Sequence, residues 1–245
     1  MQPYADRPGE ALDTLKKLRI LIRHAINIGQ LKHDPSLGIK RPKTQRIRSW
    51  TEAEIATFRN KLNLGSKQRL AFELFLNTGQ RRSDVVRMAW SHFMADNKIS
   101  IVQQKTNRRL LIPVHRDLTT TLAVAKRDHV SILTTAYGKP FSVDGFSQYM
   151  RDAIREAGLP LVCQPHGLRK ATGRRLAEAG ATAKEIMAVL GHTTLAEAEN
   201  YTADADQIGL AVDAVIKLEA HKANKASQTV VSGLGKGGKK RGKTT

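Results

Sequence analysis

Helix boundary signals punctuate most of this chain and leave little room for other structure. Thr51 with Glu54, Thr182 with Glu185 and Thr194 with Glu197 have the Thr-x-x-Glu spacing of a capping box, in which reciprocal side-chain bonds satisfy two orphan N–H groups at a helix start. Glycine marks the other ends. Helices carrying Leu70, Leu74 and Phe75, then Val143 to Ala157, then His166 to Ala179 are predicted to stop at Gly79, Gly158 and Gly180. Further helices are expected from Thr51 to about Leu62, across Arg82 to Met88, from Leu118 to Lys126 and over Ala205 to Leu218. Ile99 to Val102 and Leu110 to Ile112 are β-rich runs joined by polar residues, which puts Lys105 near the tip of a hairpin. The expected class is mainly α with a small antiparallel β hairpin or sheet.

The two ends read differently. Leu12, Leu15, Leu18, Ile22, Ala25 and Ile26 recur at helical spacing, so Ala11 to about Ile28 is an amphipathic helix closed by Gly29, with nothing upstream large enough to cover its apolar stripe. It looks like the end of a further domain. Residues 40–48 (KRPKTQRIR) hold five basic residues in nine and no periodicity, the mark of a charged linker. Residues 220–245 turn to Lys, Gly, Ser and Thr and read as a disordered basic tail. Within it Gly233 to Lys240 nearly spells a phosphate-binding loop, but Lys240 stands where Ser or Thr is needed and no strand precedes it.

Charge narrows the partner. Lys and Arg number 41 against 22 Asp and Glu, a formal charge of +19, which points to nucleic acid first and an anionic membrane surface second. A hydrophobic content of 40% is enough for a core. No apolar run approaches the roughly 18 residues that span a bilayer, and residues 1–10 lack the pattern of a signal peptide, so a soluble, cytoplasmic protein is expected. The single cysteine, Cys163, leaves no thiolate pair for zinc, and its spacing to His166 has no counterpart elsewhere. Trp50 and Trp90 are expected to pack rather than to stack on bases.

Short strings then carry the chemistry: Thr78-Gly79-Gln80-Arg81, Gln104-Lys105-Thr106, His166-Gly167-Leu168-Arg169, Leu190-Gly191-His192 and Tyr201. A phosphoryl transition state spreads charge over planar oxygens, and guanidinium forks such as Arg81 and Arg169 match that geometry. His166 and Arg169, three apart on a helix, lie about 60° around and roughly 4.5 Å along from each other, so both can face one phosphate. From His192 to Tyr201 a continuous helix would turn through about 900° and put the two on opposite sides. For both to reach one phosphate the helix has to break, and Gly191 with the Thr194/Glu197 box supplies the break.

In order and spacing these strings resemble the tyrosine recombinase (phage integrase) family, over about Ser49 to Leu218. The resemblance implies a DNA breaking-rejoining catalytic fold at 49–219 and makes 1–39 the end of a helical core-binding domain. It implies that Tyr201 attacks the scissile phosphate and stays on the 3′ phosphate, and that Lys105 protonates the leaving 5′ oxygen. Arg81, Arg169 and His192 would stabilise the transition state, and His166 would hold the phosphate and handle the tyrosine proton. Asp84 stands where the family usually has a buttressing acidic residue, often Glu. No metal, nucleotide or other cofactor and no small-molecule substrate is implied. The partners are double-stranded DNA and a homotetramer during synapsis. Lys40, Arg41, Lys43, Arg46, Arg48, Arg82 and Lys170 are candidate contacts to DNA phosphates, and Arg174 and Arg175 are weaker ones. The rival readings are a non-catalytic DNA-binding remnant of an integrase and a type IB topoisomerase; the spacing from Leu190-Gly191-His192 to Tyr201 favours the recombinase over the topoisomerase.

Overall fold

A computed structural model describes residues 7–43, 47–202, 211–212, 214–219 and 221. The chain forms two compact units, Met1–Ile47 and Arg48–Thr245. In the first, α1 (Pro8–Asn27) runs into Gly29 at φ +76°. Leu15 and Ile22 are buried, whereas Leu18, Ile20 and Leu21 of the same helix are exposed. Arg19 braces the segment that follows, donating through Nε to Ser36 Oγ at 3.1 Å and through Nη2 to the Ile39 carbonyl at 3.1 Å.

The second unit is built around α3 (Lys67–Thr78), which is buried along nearly its whole length because its apolar residues run all round rather than on one stripe. It follows α2 (Glu52–Lys61), whose capping box at Thr51 and Glu54 is formed. Glu73 is the polar exception on α3. Fully buried, it accepts a forked pair from Arg59 (2.9 and 2.7 Å) and single bonds from Arg69 and Asn77 (2.7 Å each), the satisfaction a buried carboxylate requires. Trp50, Phe58 and Phe72 form an aromatic cluster beside it, with Phe58 stacked on Phe72 at 4.3 Å. Trp90 is half-buried under the Arg127 guanidinium, 4.6 Å from its ring centroid.

After α4 (Arg82–Val85) come β1 (Lys98–Val102) and β2 (Arg109–Pro113), antiparallel with Ile99 opposite Ile112 and Val102 opposite Arg109. Ile99, Ile101, Leu110 and Ile112 alternate inward, which fixes the register. The expected helix across Arg82 to Met88 is shorter in fact. Residues 86–87 form a turn, and from there Met88 accepts from the Ile132 N–H and Trp90 donates to the Val130 carbonyl, so extended pairing with a distant segment begins where the helix was expected to end. Next come α5 (Arg116–Ala123) and α6 (Val143–Glu156), then α7 (Pro165–Glu178), α8 (Ala183–Leu190) and α9 (Leu195–Thr202). Gly79, Gly158, Gly180 and Gly191 all take positive φ at the helix ends. Of the helix expected over 205–218, residues 211–212 and 214–219 are helical and the rest lie outside the described residues, as does the tail from 222 onward. No helix among the described residues is long and apolar enough to cross a membrane.

Candidate active site

Gly79 begins the site. With φ +61° it reverses the chain after α3, and a Cβ there would meet the side chains of Leu190 and Thr172, so the turn lies directly against α7 and the end of α8. Arg81, two residues on, is thereby placed at the start of α4 facing α7. Arg169, on α7, is only 3% exposed and donates through Nη1 to the carbonyls of Gly79 (2.7 Å) and Leu190 (2.9 Å). Arg81 donates to Gln103 Oε1 at 3.1 Å. These partners are neutral oxygens. Burial first, and then the neighbouring Arg81, pull the Arg169 pKa down to about 10, so it remains charged at neutral pH. Two adjacent cations held by neutral acceptors make a preorganised anion site, because an arriving phosphate relieves both desolvation and mutual repulsion.

Gly191, at φ +70°, ends α8 and provides the break that the His192-to-Tyr201 spacing requires. The imidazole of His192 and the phenol ring of Tyr201 lie parallel, 5.8 Å between centroids and 2° between planes. His192 is buried, its Nδ1 has no partner, and its carbonyl accepts from Arg108 at 2.6 Å. Burial and then Arg169 lower its pKa to about 4, so it is neutral at pH 7, and the Nε2–H tautomer avoids stranding a buried donor at Nδ1. Tyr201 is half-buried on α9. Burial raises its pKa, Arg169 and Arg81 oppose the rise, and Glu197 adds to it.

His166 opens α7 and keeps an exposed side at the rim. Partial desolvation, then Arg169, Lys170, Arg81 and Arg82, lower its pKa. Gly167 follows because a Cβ there would stand 2.7 Å from both the Arg48 carbonyl and Trp50 Cδ1, which is how the start of α7 docks onto the 48–50 segment. Lys105 is exposed in the turn 104–106 that joins β1 to β2. Asp84 is buried, and its Oδ1 accepts from the backbone N–H of Gln104 at 2.8 Å, beside Lys105; its Oδ2 is buried without a partner. The shorter acid thus reaches the hairpin backbone from α4.

The chain matches the phage integrase family over residues 46–207. It belongs to that family. Tyrosine recombinase XerD of Listeria innocua serovar 6a is 20% identical over 205 residues, 77% of this chain and 69% of the relative. The fold is like that of a lambda integrase(75-356) dimer bound to a COC' core site, at TM-score 0.67 and 24% identity over 79% of this chain and 76% of the other. It is also like that of a lambda integrase tetramer bound to a Holliday junction, at TM-score 0.66 and 24% identity over 78% and 61%.

The other basic residues read as candidate DNA contacts fare unequally. Lys40, Arg41 and Lys43 are exposed, Lys170 is partly so, and Arg46 lies outside the described residues. Arg48 is committed to a fork with Glu54 and to the Ser49 carbonyl at 2.9 Å. Arg82 donates to Ser147 Oγ at 2.8 Å. Arg174 is held by Glu52 and Glu178, at 2.7 and 2.6 Å, and Arg175 shares Glu52 at 3.4 Å.

Sequence reasoning missed four residues here: Gln80, Gln103, Arg108 and Gly173. Gly173 sits one turn after Arg169 on α7, and a Cβ there would stand 2.6 Å from Tyr201 Cδ1 and Cε1. The tyrosine ring therefore lies on the bare backbone of α7. An isolated glycine inside a strongly helical run was the available signal. Gly173→Ala should raise helix propensity by about 1 kcal/mol and yet slow DNA cleavage about tenfold to a hundredfold by displacing the Tyr201 ring. Thermal melting and single-turnover cleavage measured together check this; unchanged cleavage would contradict the packing.

A pH dependence also follows. His192 has an ordinary pKa of 6.5 and a folded value of about 4, so between those values the unfolded chain binds more protons. Its stabilising contribution is complete above pH 6.5 and is lost as pH falls toward about 4; the lowered His166 acts in the same sense. The melting temperature should drop through that window, more shallowly in His192→Asn, and proton uptake should accompany DNA binding there. Calorimetry in buffers of different ionisation enthalpy measures the uptake.

Proposed function

We propose that this phage integrase family member is a site-specific recombinase that cleaves and rejoins double-stranded DNA through a 3′-phosphotyrosyl intermediate. The observation that carries the reading is the convergence of the Arg81/Arg169 pair with the stacked His192 and Tyr201 rings, groups supplied by separate segments of the chain. Bound between the guanidiniums, a phosphodiester presents its phosphorus to the Tyr201 oxygen. The new O–P bond forms as the bond to the 5′ oxygen breaks. Lys105 gives that oxygen its proton, and His166 takes the proton of the phenol. Phosphate charge that builds up is met by Arg81, Arg169 and the His192 N–H. The covalent ester conserves the energy of the broken bond, so a 5′ hydroxyl from another duplex reverses the step and completes exchange. No nucleotide is needed, and the side-chain cations supply the charge stabilisation.

Residues 1–39 are read as the end of a core-binding domain, 40–48 as a basic linker that tracks DNA phosphates, 49–219 as the catalytic domain and 220–245 as a basic tail. Two duplexes and four protomers make up the synapse, in line with the tetramer of the lambda integrase structure, and the reaction belongs in the cytoplasm on nucleoid DNA. Incubating the full chain with a nicked suicide duplex from flanking genomic DNA, in excess chelator and without nucleotide, tests the reading. A covalent protein–DNA adduct is expected; metal-dependent nicking without adduct would overturn it. Binding should fall steeply with salt, the log–log slope steepening by about 0.9 for each phosphate contacted. Titrations at several salt concentrations, with Lys40, Arg41 and Lys43 replaced by alanine, should show a shallower slope.

A further inference from the structure

We propose that Gln103 is a positioning residue that pins the Lys105 turn to the arginine clamp, with Arg108 as its second anchor. The inference rests on the recombinase reading. Gln103 is wholly buried although it begins the hairpin loop. Its side-chain amide is fully used: Nε2 donates to Gln80 Oε1 at 2.6 Å and to the Leu190 carbonyl at 2.8 Å, and Oε1 accepts from Arg81 at 3.1 Å and from Thr106 Oγ1 at 2.8 Å. Those bonds join the turn that carries Arg81, the turn that carries Lys105, and the segment before His192. The Leu190 carbonyl is the same oxygen that holds Arg169, so one acceptor indexes the hairpin against the buried guanidinium.

Gly191 makes room for this amide, since a Cβ there would stand 2.6 Å from both Gln103 Nε2 and Oε1. Gln80 is buried in turn and donates to the Thr78 and Val189 carbonyls at 2.8 and 3.0 Å, which leaves its Oε1 aimed at Gln103. On the other leg of the loop, Arg108 donates to the His192 carbonyl at 2.6 Å, and its own carbonyl accepts from the Gln103 backbone N–H at 2.9 Å. Both legs of the Lys105 turn thus grip residues 190–192. A side chain with two donors and two acceptors is required at 103: ionised Glu cannot donate, and Met offers only a weakly accepting sulfur and no donor.

If this pin delivers the general acid, loosening it must hurt proton transfer to the leaving oxygen more than it hurts DNA binding. In Gln103→Met the single-turnover cleavage rate on ordinary DNA is expected to fall about tenfold to a hundredfold, the cost of a misplaced group. Most of that loss should be regained on a duplex with sulfur at the 5′ bridging position, which leaves without a proton. Arg108→Ala, at an exposed side chain whose removal spares the core, should show a smaller loss with the same sulfur rescue. A purely structural role predicts equal losses on oxygen and sulfur. Equal losses, or a wild-type rate on ordinary DNA, overturn the proposal. If Gln103→Met does not melt cooperatively, Arg108→Ala decides by the same criterion. Absence of any adduct from the wild-type chain would instead overturn the recombinase reading.

Discussion

Tyr201→Phe is expected to abolish the covalent protein–DNA adduct, a loss of about 10⁴-fold or more, as for removal of other enzymic nucleophiles. Binding should be unaffected. The phenyl ring retains the face that lies on Gly173 and the parallel stack with His192, so the substitution removes an oxygen and little packing. That separation matters because burial raises the Tyr201 pKa in the free protein, keeping the phenol protonated there. Attack must wait for a phosphate and a base, so an unreactive free state and a reactive complex are both expected. Gel-shift titration alongside adduct formation checks the prediction, and an adduct at wild-type rate in the variant would assign the nucleophile elsewhere.

Lys105→Ala is expected to slow cleavage of ordinary DNA by about 10²- to 10⁴-fold, the usual worth of a general acid. On a duplex with 5′ bridging sulfur the variant should recover almost wholly, because a thiol with a pKa near 8.5 leaves as its anion and an alkoxide does not. Arg81→Ala should gain much less from sulfur, because the role proposed for it is to meet phosphate charge. Stopped single-turnover assays on the paired substrates measure both. If sulfur gives Lys105→Ala no advantage, the lysine contacts the backbone instead and the proton comes from another group. The exposed position of Lys105 fits a group that closes on bound DNA, while Asp84, bonded to the Gln104 N–H, holds the base of its turn.

Local chemistry explains which parts of this architecture were legible in the sequence. Capping boxes at Thr51 and Thr182, and left-handed glycines at 79, 158 and 180, are settled within one helical turn, so the helix ends could be read directly. The α8 break was legible for a geometric reason: nine residues of helix would have parted His192 from Tyr201. The α4 boundary was not, because Met88 and Trp90 pair with residues forty or more positions away. Gln103 was hidden for the same reason. Its decisive acceptor, the Leu190 carbonyl, is 87 residues distant, and a glutamine in a polar loop has no local pattern to distinguish it. Arg48 and Arg174 stood out only as basic residues in a strongly basic chain, and their pairing with Glu54, Glu52 and Glu178 had no local signal. Net charge could suggest the partner, but the pairing of each arginine required the fold.

Identifying the amino acid that carries the DNA decides whether Tyr201 is the nucleophile. The wild-type chain is trapped on a nicked suicide duplex in chelator, digested with protease and nuclease, and the nucleotide-bearing peptide is sequenced by mass spectrometry. A single modified peptide containing Tyr201 is expected, its phenolic oxygen esterified to a 3′ phosphate with a free 5′ hydroxyl on the released strand. Modification of another residue, or attachment through a 5′ phosphate, would contradict it.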